Sequence, residues 1–235
     1  MSRAYLPLWL DAPLQSWGFQ SRFERRTTLM FPTKSGLLGM ICAAMGIAKG
    51  SDAERSTLPQ LSTLNMTVWQ LPKIIDGKEI PIRRLVDFHT VLGTRRADGT
   101  KNGDPVITRR EYLMDARFGV RLSGDRGILE RVAAALDDPI WGIWFGRKCC
   151  IPAAPVVIGG PYESELDAWK RLLGVAGYPP ETSQDKFSRM EDVNTFAEGT
   201  DTYNDSPLSY GNGRSSGIEG QRFAPRRVRS IAGLS

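Results

Sequence analysis

Between Glu111 and Leu122 the chain alternates, with Leu113 the one large apolar residue out of step. Tyr112, Met114, Ala116, Phe118, Val120 and Leu122 fall on one parity, and Glu111, Asp115, Arg117 and Arg121, preceded by Arg109, fall on the other. A period of two is the signature of a strand with one buried face and one wet, charged face. A weaker version lies upstream, with Val86, Phe88 and Leu92 on one parity. Between the two arms, residues 94–104 are rich in turn formers. The pair reads as a long hairpin over about 83–117. It carries eight cations (Arg83, Arg84, Arg95, Arg96, Lys101, Arg109, Arg110, Arg117) against five acids. An arginine-tipped hairpin is poorly suited to catalysis and well suited to gripping a phosphate backbone.

The net charge of +5 says little by itself, but the cations cluster. Besides the hairpin there are Arg22/Arg25/Arg26, Arg147-Lys148, and Arg222/Arg226/Arg227/Arg229 with no acid between its ends. Such clustering points to a polyanion partner. Three cysteines, two of them adjacent, build no disulfide framework, so a reduced, cytoplasmic protein is expected. The most apolar stretch, Leu37 to Ala48, is too short to span a bilayer, and no membrane partner is expected.

Read in order, Arg3 to Asp11 predicts a strand. Pro32-Thr33 introduces a helix with Leu37, Leu38, Ile41, Cys42 and Met45 at helical spacing, and Thr63 to Leu71 reads as a strand. The hairpin follows, its outgoing arm continuing to Leu122. A second helix from Gly124 carries Ile128, Leu129, Val132, Ala133 and Leu136, and Ile140 to Phe145 reads as a last strand. That order is the βαββαβ pattern of an α+β, ferredoxin-like fold with the hairpin grown from the connection between its second and third strands. Residues 1–157 form this domain. Residues 158–235 read as a loosely structured extension of the same globule, with a short helix over Glu163 to Leu173, a polar surface loop from Tyr203 to Gln221 and a run at Arg226 to Ile231 that could form a strand.

Candidates for chemistry are few. His89 is the only histidine, which excludes a two-histidine site, and it reads as a strand contact. Cys149-Cys150 has no second ligand pair, and Asp137-Asp138 is a solvated helix end, so no metal, cofactor or catalytic residue is assigned. Lys34-Ser35-Gly36 has its lysine before the glycines, opposite to a nucleotide-hydrolysing phosphate loop. Pro32-Thr33-Lys34-Ser35 still sits at a helix N-terminus, where either an anion or ordinary capping fits.

Three segments together resemble a known family: Gln15-Ser16-Trp17-Gly18, residues Phe31 to Gly39, and Gly146-Arg147-Lys148-Cys149-Cys150-Ile151-Pro152. They are similar to the CasD subunits of the type I-E CRISPR surveillance complex, Cascade. Arg84 to Thr90 and Thr108 to Leu113 fit the same family's extended hairpin, and the resemblance covers roughly residues 3–157. It implies a RAMP-type ferredoxin-like fold whose hairpin is a thumb. The implied role is a non-catalytic subunit that holds and caps the 5′ handle of CRISPR RNA. It would touch the backbone subunit CasC and the large subunit CasA, with target DNA near the PAM end as a further contact. A type I-C relative is itself an endoribonuclease for precursor CRISPR RNA, which supplies the alternative. On the RNA-binding reading, Arg95, Arg96, Arg109 and Arg110 supply phosphate contacts and Lys34, Ser35, Arg147 and Lys148 line the core side. Trp17, flanked by Gln15 and Ser16, either stacks on a base or covers the core.

Overall fold

Strand β1 (Arg3–Asp11) is apolar on both parities, and both of its faces are covered. The computed structural model describes residues 3–19, 24–96, 98–211 and 220–234. After β1 come two short strands, β2 (Leu14–Gln15) and β3 (Arg25–Arg26), then helices α1 (Lys34–Ala44) and α2 (Asp52–Ser62). Strand β4 (Asn65–Gln70), the small pair β5 (Lys73–Ile75) and β6 (Lys78–Ile80), and the hairpin arms β7 (Arg83–Val91) and β8 (Val106–Met114) follow. The chain continues through β9 (Arg117–Asp125), α3 (Arg126–Asp137), α4 (Glu165–Ala176), β10 (Arg189–Asp192), β11 (Asp201–Ser209) and β12 (Arg222–Ile231).

The main sheet has six antiparallel strands in the order β1-β9-β4-β10-β12-β11. Ala4, Leu6, Leu8 and Leu10 face one core with α1 and α3, whereas Trp9 faces a second cluster of Trp69, Trp169, Leu172 and Phe187 beneath α4. The expected α+β architecture is present, and β1, α1, β4, β9 and α3 take the places the sequence assigns them. The last expected strand does not form at Ile140–Phe145. There the backbone caps α1: Ile140 N–H donates to Ala44 O (2.9 Å) and Trp141 N–H to Ala43 O (3.3 Å), satisfying carbonyls that a helix end leaves orphaned. The free edge of β1 is met instead by residues 153–162. Ala153 N–H bonds Asp11 O (2.8 Å), Trp9 N–H bonds Val156 O (2.8 Å), and Tyr5 and Tyr162 exchange bonds (2.9 and 2.8 Å).

The outgoing hairpin arm is two strands, not one. Asp115 at φ +53° breaks it, with its N–H held by Pro13 O (3.0 Å), so β8 belongs to the hairpin sheet and β9 to the main sheet. The charged parity of β9 is not wet either. Helix α4 and its aromatic cluster cover that face. Arg121 is buried over Trp69 (5.1 Å) and bonded to Glu165, while Arg117 lies over Trp9 (4.8 Å) and donates to Ala176 O (3.1 Å). Alternation reported the pleat correctly. It could not report that long cationic stems would be used to roof an aromatic layer.

Residues 189–211 and 220–231 supply β10, β11 and β12, three of the six strands of the main sheet; of these the sequence offered only the last, at Arg226 to Ile231. The expected polar loop is strand β11 up to Ser209, and its remainder over 212–219 lies outside the described residues. The strand hides behind its polarity because its inward side chains are themselves polar. Asp205 is buried and accepts from Arg226 Nε and Nη2 (2.7 Å each). Arg226 also reaches Asp192 (2.5 Å), which accepts from Lys34 Nζ (3.1 Å) and Met66 N–H (3.0 Å). The C-terminal arginine cluster is therefore largely consumed inside the protein. Arg227 packs on Phe196 (4.1 Å) and Arg229 pairs with Glu191 (2.9 Å).

Arg226→Met removes the cation from between two buried carboxylates. Leaving a buried charge unpaired costs about 3–5 kcal/mol, and the expected outcome is a loss of that order in urea unfolding at neutral pH. An unchanged midpoint would show that the network does not hold β12 in place.

Candidate nucleic-acid interface

The three sequence motifs meet at one place, the root of the hairpin. Gln15 is fully buried: its Nε2 donates to Leu10 O (3.1 Å) and Ala116 O (2.7 Å), and its Oε1 accepts from Trp17 Nε1 (3.1 Å). The Trp17 ring is 1% exposed and packs on Phe145, with centroids 6.0 Å apart. Gly36 on α1 covers it so closely that an added Cβ would sit 3.0 Å from the ring. The loop 145–150 closes the assembly. Ser16 N–H donates to Phe145 O (3.0 Å), and Gly146, at φ +100°, passes so near that a Cβ would lie 1.7 Å from Ser16 O. Only glycine fits that approach and that backbone conformation.

This packing corrects the expectations for Gln15, Ser16, Trp17 and Lys34, all of them buried. Trp17 cannot stack on a base, because its ring is sealed under α1 and the 145–150 loop. It and Gln15 position the turn from which Gly18 reaches the surface, while Ser16 is itself buried and donates its hydroxyl to Glu111 O (3.3 Å) rather than to a ligand. Lys34 is not a phosphate ligand, because its ammonium is buried against Asp192 and its N–H donates to Asp205 Oδ2 (2.9 Å). The start of α1 does attract an anion, as helix termini do, and that anion is the protein's own Asp205. Thr33 caps Gly36 N–H (3.2 Å), and Ser35 remains half-buried on the rim.

Two grooves run from this root and share Gly146 and Arg147. One, about 730 Å³, lies under the hairpin between Asp87, His89 and Arg110 on one side and Arg147, Lys148 and Cys149 on the other. The second, about 550 Å³, continues past Ser16, Arg26, Ser35 and Lys49. Together they form one track with cations along its length. Arg147 is the hinge pin of the track. Its Nη1 donates to Glu111 O (2.9 Å) and its Nη2 to Arg26 O (2.9 Å), and its guanidinium lies 4.5 Å from the Tyr112 ring centroid. It fixes β8 and β3 to the core, so its expected phosphate role is secondary to a structural one. Lys148 is exposed beside Trp144 (5.9 Å).

The remaining expected ligands separate. Adjacent residues on a strand point to opposite faces. Arg110, half-buried and bonded to Thr108 Oγ1 (3.1 Å), faces the groove. Arg109 faces away, over the Phe88 ring (5.3 Å). Arg95 and Arg96 are exposed at the tip, where Arg96 N–H bonds Thr100 O (2.9 Å) and Arg95 bridges Lys101. Lys49, Arg26 and His89 join the track without having been chosen from the sequence. Arg26 was visible as part of a basic cluster, but nothing in its spacing places the isolated Lys49 here.

His89, Tyr112 and Lys148 line the same groove, which sequence spacing did not foresee. Tyr112 is nonetheless buried, receives the Cys149 thiol (3.7 Å), and has its pKa pushed up chiefly by burial, so it remains a phenol at neutral pH. His89 Nδ1 stands 3.8 Å from Asp87, beyond hydrogen-bond distance. Among the described residues no group of His, Cys, Asp and Glu is arranged to hold a metal, and no helix is long and apolar enough to cross a membrane.

Gly146→Ala is the most direct test of how the root is built. The expected outcome is a marked fall in melting temperature, or insoluble protein, since the new methyl meets backbone rather than a movable side chain. Wild-type stability in this variant would show that the 145–150 loop is not pinned against Ser16.

Residues 5–216 match the family described as CRISPR-associated protein (Cas_Cas5). The CRISPR system Cascade subunit CasD of Escherichia coli (strain K12) is 35% identical over 176 residues, which span 73% of this chain and 76% of that one. The fold is similar to a chain solved as a CRISPR RNA-guided surveillance complex, with a TM-score of 0.71 at 27% identity over 97% of this chain and 89% of the other. A crystal structure of a Cas protein gives a TM-score of 0.62, again at 27% identity, over 96% and 93% of the two chains.

Proposed function

The chain belongs to the CRISPR-associated protein (Cas_Cas5) family, and on that footing we propose that it is a non-catalytic, RNA-binding subunit of a Cascade-type surveillance complex. Its task is to hold and cap the 5′ handle of the CRISPR RNA and to help assemble the complex on it. The observation that carries this reading is the cation-lined track under the hairpin, running from Arg26 and Lys49 past Lys148 to Arg110. Arginine is a bidentate phosphate ligand and a poor proton shuttle at neutral pH. Ser35 and Gly18 border the track with a hydroxyl and open backbone suited to a ribose-phosphate chain. Subunits corresponding to CasC and CasA are the expected protein partners, and target DNA near the PAM end is a further expected contact. The three thiols are all free and fit a reducing cytoplasm.

One observation favours the alternative, a metal-independent endoribonuclease: His89, Tyr112 and Lys148 share a groove. Cleavage needs a base for the 2′-hydroxyl and a donor for the leaving oxygen. Tyr112 is covered by Arg147 and already accepts from the Cys149 thiol, which leaves His89 and Lys148 alone for both proton transfers. The expected outcome with purified protein and repeat RNA, with or without divalent metal, is uncleaved RNA that shifts on a gel. Single-site cleavage abolished by His89→Ala would make the alternative correct.

The track itself is tested by salt titration. Arg110→Ala combined with Lys148→Ala should lower RNA affinity and reduce the slope of log affinity against log salt by about 1–1.5, as expected for two lost phosphate contacts on a single strand. An unchanged slope with a folded protein would place the RNA elsewhere.

A further inference from the structure

The hairpin has a second face that folding does not explain. On β7 and β8 the groove face carries Leu85, Asp87, His89, Arg110 and Tyr112, and the opposite face carries Val86, Phe88, Ile107 and Arg109. Phe88 is 65% exposed, Val86 50% and Ile107 54%, a strip of apolar surface that gains nothing from the core. Phe88 and Arg109 are direct cross-strand partners, and the guanidinium lies 5.3 Å from the ring centroid. Among the described residues no carboxylate pairs with Arg109, whereas Arg84 on the same face is neutralised by Glu111 (3.0 Å). An exposed ring braced by an uncompensated cation matches one kind of occupant well. A planar base fits on the ring, and its own phosphate is drawn to the cation.

We infer that Phe88, backed by Arg109, is a stacking platform for one unpaired base of the bound RNA. This rests on the RNA-binding reading and adds what the groove lacks. Phosphate contacts carry no base information, and the aromatic residue expected for that work, Trp17, is buried. Aromatic side chains exposed on a sheet surface are a common way for proteins to read splayed, single-stranded RNA. Stacking on a guanidinium plane adds to the same site. The charge also favours a nucleic acid over a protein surface here, because the tip beside this face presents Arg95, Arg96 and Lys101 to solvent.

The test uses the full chain and 12-nucleotide single-stranded RNAs carrying one 2-aminopurine at successive positions. Wild-type protein should quench the probe at one position. Phe88→Ala should remove that quench and weaken binding by about 5- to 100-fold, the range for losing one base–aromatic stack, with the salt slope unchanged. Phe88→Trp should retain both. Phe88 is exposed and packs on no core residue, and unchanged melting temperatures for both variants serve as the control. If wild type binds RNA with a steep salt dependence but Phe88→Ala keeps its affinity and its quench, the platform is overturned and the RNA-binding reading stands. Loss of assembly with partner subunits at full RNA affinity overturns it in favour of a protein-docking face. Wild-type protein that binds no RNA overturns both readings.

Discussion

The near-contact of Gly146 with the Ser16 carbonyl organises everything around the hairpin. Because the loop 145–150 can lie flat on the turn 15–18, Phe145 reaches Trp17 and Arg147 reaches two backbone carbonyls, one on β8 and one on β3. A long hairpin attached only by its connections would swing. Here its root is fixed by β2 and β3 pairing along β8 and by the guanidinium that spans them. A side chain bonded to carbonyls is insensitive to what the neighbouring side chains are, so the clamp tolerates change on the groove surface while keeping the groove's geometry.

A second constraint acts at the start of α1. Asp205 takes the place an external anion would occupy, and Arg226 and Lys34 are drawn in to neutralise it and Asp192. Burying four charges is costly unless each is paired. The pairing here links α1, β10, β11 and β12, elements far apart in sequence, so the network specifies how the later strands join the sheet. It also explains why counting arginines overstates the binding surface. Arg117, Arg121, Arg226 and Arg227 are spent on aromatic rings, carbonyls and carboxylates within the protein.

Strands β1, β4 and β9 and helices α1 and α3 were legible because their apolar residues keep a clear period, and the hairpin because its tip is dense in turn formers, whereas the polar, proline-containing helix α2 and the short strands β2, β3, β5 and β6 were not. What failed to show has identifiable causes. The apolar run at Ile140 caps a helix, and the edge position beside β1 goes to residues 153–162, whose glycines and prolines mask an extended path. Strand β11 reads as a loop because its buried positions include Asp205 and Ser209. At the site, the motifs located the right region while misassigning its parts. Gln15 and Trp17 are recognisable because they are demanding structural positions, and the same burial that makes them distinctive removes them from solvent.

The division between the two faces of the hairpin follows from the pleat alone. Arg109 and Arg110 are neighbours in sequence, and a sequence reading naturally joins them as one phosphate grip. A strand forces them apart, one toward the core-side groove with His89 and Lys148, the other onto Phe88. Once separated they meet different surroundings: a concave track bordered by further cations on one side and an open apolar strip on the other. The chemistry available to each arginine is then set by its neighbours across the strand, since both carry the same charge. A basic dipeptide in a β-hairpin is for this reason better read as two sites than as one.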